Sequence, residues 1–190
     1  MLNDLCMILL CITIIILFGI DLHQTRSTKI AKFEKVSVNE YALNRPRCDS
    51  SIEEYHSIKL PHRATTGSAG YDFYAPFDFQ LNPGETIKIP TGIRAKINDG
   101  WVLQIFPRSS LGFKYRAQLD NTVGIIDNDY YFSDNEGHIF IKITNDSKNN
   151  AVINVKAGEA FAQGIFIRYG VTTDDNTKVI RNGGIGSTNK

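Results

Sequence analysis

Cysteine is scarce in this 190-residue chain and poorly placed for structure: of the three present, Cys6 and Cys11 lie in one apolar run and Cys48 stands alone. Their spacing fits neither a zinc site nor an even-numbered disulfide framework. A remainder without cysteine suits a reducing compartment. Net charge is nearly absent as well. A formal +1 leaves little field to hold a polyanion, and the second half has no basic stripe with interleaved aromatics, so nucleic acid is not the expected partner. The four histidines, His23, His56, His62 and His138, show no metal-ligand or triad spacing, and each is expected to be solvated or packed. What remains is ordinary globular material, 42% apolar and 22% charged, enough for one folded domain.

The one long apolar run, Leu5 to Ile20, is bounded by Asp4 and Asp21. It reads as a membrane helix, somewhat short for a hydrocarbon core of ~30 Å. A signal peptide and a start assigned too far upstream are the alternatives. Against the first, Met1 to Asp4 has no Lys or Arg, and no small-residue cleavage pattern follows Ile20. For an anchor, Arg26, Lys29, Lys32 and Lys35 on the following flank put the folded domain in the cytoplasm. The chain then divides into an apolar helix over 1–22, a tether over 23–55, a β domain over 56–178 and a glycine-rich tail over 179–190. Within the tether, Ile30 to Val38 admits at most a short helix.

From Ser57 onward no helical period is sustained. Short alternating or β-branched runs, Thr86 to Ile89, Trp101 to Phe106, His138 to Ile143, Val152 to Val155 and Phe161 to Ile167, are separated by Gly, Pro, Asn and Asp. This pattern predicts an all-β sandwich or barrel, with Ser109 to Lys114 as one short helix. Asn121 to Tyr131 reads as a β-hairpin arm in which Asp127-Asn128-Asp129 make the turn.

Five segments carry the chemistry: Ala69-Gly70-Tyr71-Asp72-Phe73; Pro107-Arg108-Ser109-Ser110-Leu111-Gly112; Gly124-Ile125-Ile126-Asp127-Asn128-Asp129-Tyr130; Gly158-Glu159-Ala160-Phe161-Ala162-Gln163; and Arg181 to Thr188. Taken singly, each is also the mark of a polar turn, a capped helix or a flexible end. In this order and spacing they resemble the trimeric deoxyuridine triphosphatase (dUTPase) family, over about Ser57 to the C-terminus.

The resemblance implies a distorted jelly roll of the β-clip type, a homotrimer with shared active sites, and hydrolysis of dUTP to dUMP and pyrophosphate. That reaction keeps uracil out of DNA and supplies dUMP for thymidylate synthesis. By position, Asp127 is the base that activates water. Tyr130 packs under the sugar and excludes a ribose 2′-hydroxyl, while Asn121, the backbone of Ile125 and Ile126, and Phe140 surround uracil. Arg108, Ser109, Ser110 and Gln163 hold phosphates, and Asp72 reaches Mg2+ through its hydration shell, a role that suits an ion reluctant to shed water. The tail is a lid on a neighbouring subunit's substrate, with Arg181 on the γ-phosphate and Ile185 and Gly186 over the base.

Four departures from the family stand out. Ser110 is more often Gly, Ala160 is usually Arg, and Ile185 replaces a stacking ring, a loss of about 1–3 kcal/mol that weakens binding without abolishing activity. Residues Tyr131 to Glu136 insert before Gly137, to protrude into solvent or alter specificity. Two alternatives follow: a non-catalytic, membrane-associated descendant that binds nucleotide or protein, and a dCTP deaminase of the same fold. The deaminases carry their catalytic Glu where this chain has Lys142.

Overall fold

Alternation decides which residues turn inward. In β9 (Phe140–Asn145), Ile141 and Ile143 are buried while Lys142 faces solvent, the period of two expected of a half-buried strand. The computed structural model describes residues 29–45, 51–179 and 181–183, and its elements lie in one unit, Ala31–Lys190. The expected apolar helix over 1–22 lies outside the described residues, among which no helix is long and apolar enough to cross a membrane.

The remaining strands are β1 (Ala31–Lys35), β2 (Tyr71–Tyr74), β3 (Phe79–Leu81), β4 (Thr86–Pro90), β5 (Ile93–Ile97), β6 (Trp101–Pro107), β7 (Ala117–Leu119), β8 (Gly124–Ile126), β10 (Ile153–Val155) and β11 (Ala160–Arg168). They pair antiparallel in a four-stranded sheet β2-β11-β6-β8, a three-stranded sheet β4-β9-β7, and two ribbons, β1-β5 and β10-β3. Three short helices accompany them: α1 (Val38–Asn44), α2 (Ser51–Ser57) and α3 (Ser109–Tyr115). The all-β class expected from the sequence is thus observed.

Two expectations need correction. The first concerns the tether. Ala31–Lys35 is a strand, not a helix, and pairs residue by residue with β5, from Ala31 opposite Ile97 to Lys35 opposite Ile93. Phe33 packs against Tyr71, Phe73 and Phe166, with ring centroids 5.4–5.7 Å apart. Ser37 caps α1 by accepting from the Glu40 N–H at 3.1 Å, and Tyr41 is fully buried. Arg45 clamps Glu54 of α2 through two hydrogen bonds, 2.7 and 3.0 Å. Gly92, at φ +70°, lets these helices approach, since a Cβ there would lie 2.4 Å from Ile58 and 3.3 Å from Tyr41. Long-range pairing therefore supplies the order that these short, charged segments do not declare locally.

The second correction concerns the arm. No return strand follows Asp127-Asn128-Asp129: β8 pairs with β6 and the preceding β7 with β9, so the connection between β7 and β8 bridges two sheets. The chain reverses at Asp120 to Val123, where Thr122 takes φ +65°, and Asp127 instead opens a 3-10 helix, Asn128–Phe132. Beyond it, the insertion does not simply protrude. The Tyr131 hydroxyl donates to Glu34 at 2.6 Å, and Glu136 accepts from the Ser37 N–H at 2.8 Å and the Ser37 hydroxyl at 2.6 Å. It forms the platform on which the N-terminal segment rests.

His138 is the buried polar pivot of that platform. Its Nε2 accepts from the Gly92 N–H at 2.9 Å, so Nδ1 carries the proton and donates to Glu40 at 3.1 Å. Burial, reinforced by Lys88, lowers its pKa from 6.5 to about 4. Between those values the unfolded chain binds a proton that the folded chain refuses, so this contribution to stability is lost as pH falls from 6.5 toward 4. Denaturant unfolding at pH 7 and pH 4.5 is expected to show the loss, on the order of 3 kcal/mol at full protonation. His138→Gln, which keeps one acceptor and one donor, is expected to show a smaller drop between the two pH values; an equal drop would clear His138 of the effect.

Candidate active site

The predicted residues gather in two clusters set by the register of β6. In the first, Asp72 on β2 lies opposite Gln163 on β11, and Gln163 lies opposite Phe106 on β6. Arg108 follows the end of β6, its Nε 3.5 Å from Asp72 Oδ1. The Gln163 amide donates to the Pro107 carbonyl at 3.3 Å. Arg108 itself occupies the cap position of α3, without a side-chain cap bond, so Ser109 and Ser110 become the first helical residues, both exposed. Their hydroxyls are therefore not committed to capping. Gly70 completes the wall: a Cβ there would sit 2.7 Å from the Gln163 side-chain oxygen.

The second cluster follows β8. Ile126 is opposite Leu103, which puts Asp127 beside the Val102 end of the strand. Exposed Asn121 and Ile125 lie just before it. Tyr130 is buried, its hydroxyl donating to the His138 carbonyl at 2.7 Å and accepting from Asn135 at 2.8 Å; burial raises its pKa above the usual phenol value. Phe140 stacks on His138 at 4.3 Å, with the Lys88 ammonium 4.1 Å from its ring centre. Tyr130, Phe140, Glu40, Asn44, Lys88 and Asn135 help line a cavity of about 430 Å3. Glu40 and Asn44 come from α1, and no local motif could have flagged them.

Arg181 belongs to this second cluster. Its guanidinium binds Asp127 through Nη2 and Asp129 through Nε at 2.8 Å, and the Ser133 hydroxyl donates to the Gly183 carbonyl at 3.2 Å. The expected γ-phosphate ligand is thus seated on the carboxylates of its own chain. Ile185 and Gly186 lie outside the described residues.

One chain does not bring the two clusters together. Asp127 and Arg108 flank β6 about six residues apart, roughly 20 Å at ~3.3 Å per residue. Lys114, absent from the predicted set, shares with Arg108 and Ser110 a second cavity of about 400 Å3. Its place four residues after Ser110, on the same helix face, is the signal that sequence reading could have used. Among the described residues no group of His, Cys, Asp and Glu could hold a metal by itself.

Residues 56–189 match the family model dUTPase. The chain is 42% identical over 134 residues to a deoxyuridine 5'-triphosphate nucleotidohydrolase of Lactococcus lactis, covering 69% of this chain and 88% of that protein. Its structure is similar to the crystal structure of a dUTPase from Streptococcus mutans, at TM-score 0.57 and 33% identity over 74% of this chain and 97% of that one. A dUTPase from phage phi11 of S. aureus, 18% identical, shares the fold at TM-score 0.56, covering 80% of this chain and 98% of that one.

Gly70→Ala tests the first cluster. The added methyl meets only the end of a flexible side chain, so thermal unfolding is expected to stay within a few degrees of wild type while affinity for dUMP, whose phosphate lies with Gln163, falls about tenfold, or ~1.4 kcal/mol. Gly67→Ala, with nothing within 4 Å of the new Cβ, is expected to change neither. Calorimetric titration of both variants makes the comparison.

Proposed function

Because this chain belongs to the dUTPase family, we propose the following account of how its residues hydrolyse dUTP to dUMP and pyrophosphate. Attack on the α-phosphorus needs a positioned water, a base for its proton and cations to absorb charge on the phosphate oxygens. Asp127 is the base. Arg108, Ser109, Ser110 and Gln163 take the phosphates, while Asn121 and the backbone of Ile125 and Ile126 read the uracil edge. Tyr130, fixed by its hydrogen bonds to His138 and Asn135, presents a rigid ring to the sugar, and Phe140 flanks it.

The separation of the clusters carries the rest of the reading: a working site joins the Arg108 cluster of one subunit to the Asp127 cluster of another, as a homotrimer with shared sites does. Arg181 then has two positions. While it holds Asp127, that carboxylate is not free to take a proton from water, so an arriving triphosphate must draw the guanidinium away. Ile185 and Gly186 would follow as the lid, whose ordering costs about 1–2 kcal/mol per residue and is offset only by contacts with substrate.

Magnesium fits this arrangement in one way. Asp72 is a single carboxylate already facing Arg108, suited to hold the hydration shell of an ion carried by the phosphates and unsuited to bind a bare one. When bound, Mg2+ would supply charge neutralisation and orientation of the triphosphate.

The deaminase alternative has no support. Lys142, where the deaminases carry their catalytic Glu, is exposed on β9, pairs with Asp120 at 2.7 Å, and cannot do a carboxylate's proton shuttling. A non-catalytic role also lacks support, since the relatives that the chain resembles are named as nucleotidohydrolases. A cytoplasmic setting, where the nucleotide is found, remains part of the reading. A membrane contact through residues 5–20 falls outside the described residues and finds no support among them.

Pyrophosphate release from dUTP is the direct assay. Asp127→Asn is expected to lower turnover by about 10^2–10^4 with melting and oligomeric mass unchanged; unchanged turnover would remove Asp127 from the mechanism. Co-expressing Asp127→Asn with Arg108→Ala chains is expected to restore activity that neither has alone, because mixed assemblies can contain one intact shared site. No restoration would confine the site to a single chain.

A further inference from the structure

The phosphate end of the site is electrostatically undersupplied by the residues assigned to it. Of the two cations assigned to the phosphates, Arg181 is seated on Asp127 and Asp129 and Arg108 is shared with Asp72 at 3.5 Å, so neither pair brings net positive charge to a polyanionic substrate. On the other side of Arg108 lies the cavity of about 400 Å3 lined by Ser110, Lys114, Asn154, Glu159 and Ala160. Ser110 and Lys114 stand one helical turn apart on α3 and face it together. Glu159 already accepts from the Lys156 N–H at 2.9 Å, across the loop that leads into β11. Lys114 is exposed, and among the described residues no hydrogen bond or ion pair of it is seen. A lysine with no protein partner, sharing a concave wall with an arginine and a free hydroxyl, is placed as a phosphate ligand would be.

We infer that Lys114 is a substrate-binding residue that contacts the β- and γ-phosphates of the nucleotide and holds the pyrophosphate as it leaves. The assignment rests on the dUTP hydrolysis argued above and extends it by one residue. The α-phosphate lies with Gln163 and the base Asp127, whereas Lys114 lines the far wall beyond Arg108 and Ser110. A flexible ammonium there follows the terminal phosphates as the P–O bond breaks without constraining the reacting centre. The small side chain of Ala160 leaves the wall open for it. The ligand class at Lys114 is therefore a di- or triphosphate chain, the single phosphate of dUMP staying with Gln163.

The test uses the full chain and separates products. Lys114→Gln is expected to raise the KM for dUTP and weaken inhibition by inorganic pyrophosphate, each about tenfold, while inhibition by dUMP stays at the wild-type value. Lys114→Arg is expected to recover most of the loss. Lys96→Gln, which removes the same charge from β5, is expected to change neither and so accounts for bulk electrostatics. Equal weakening toward dUMP and pyrophosphate, or wild-type values for both, would overturn the assignment; melting curves identify a variant that merely folds poorly. Absence of turnover in the wild-type chain would instead count against dUTP hydrolysis, so the two failures are distinguishable.

Discussion

The antiparallel register of β6 between β8 and β11 is the constraint on which the rest depends. It puts Gln163 opposite Phe106 and Ile126 opposite Leu103, and a strand cannot slip by one residue without sending its apolar face to solvent. Gly164 shows how tightly the pairing is packed: a Cβ there would come within 2.8 Å of Leu103 and 3.0 Å of Phe73. With that ladder fixed, Arg108 and Asp127 emerge near opposite ends of one strand, roughly 20 Å apart at ~3.3 Å per residue. On the proposed reading, a site that needs both draws them from different copies of the chain.

A second layer of organisation holds the segment that begins at Asp127. The 3-10 helix after Asp127 has little to hold it locally, and its stability is borrowed from elsewhere. Tyr131 and Glu136 tie it to Glu34 and Ser37, and Tyr130 is tied to the His138 carbonyl. His138 in turn reaches Glu40 of α1. Segments nearly a hundred residues apart in sequence thus form one polar network around the segment that follows Asp127. Such a network raises rigidity when every member is satisfied and becomes a liability when one is lost.

The β class, α3 and most strand centres are legible in the sequence because they rest on alternation and turn residues, which are local signals. Asp72, Arg108, Gln163 and Asp127 are legible for a different reason: they sit in short segments whose order resembles a family. The hairpin reading fails because Asp-Asn-Asp suits the start of a 3-10 helix as well as a tight turn: after Asp127 the chain forms that helix instead of a return strand, and β8 pairs with distant β6. The tether reading fails likewise. Ala-Lys-Phe-Glu-Lys is too short and too charged to announce a strand until Phe33 finds Tyr71, Phe73 and Phe166. Glu40 and Asn44 at the aromatic cavity are invisible for the same reason, since only tertiary packing of α1 brings them there.

β1 has a practical consequence that reaches beyond catalysis. Within the described residues it is the only strand hydrogen-bonded to β5, yet it lies upstream of residues 56–189, where the family match falls. A chain trimmed to the matched span would leave Ile93 to Ile97 with a bare row of backbone donors and acceptors, and would uncover the apolar surface beneath Tyr41. Such an edge is a template for intermolecular strand addition. The unit that closes this edge is therefore longer than the span recognised by similarity, because it includes the lysine-flanked strand β1.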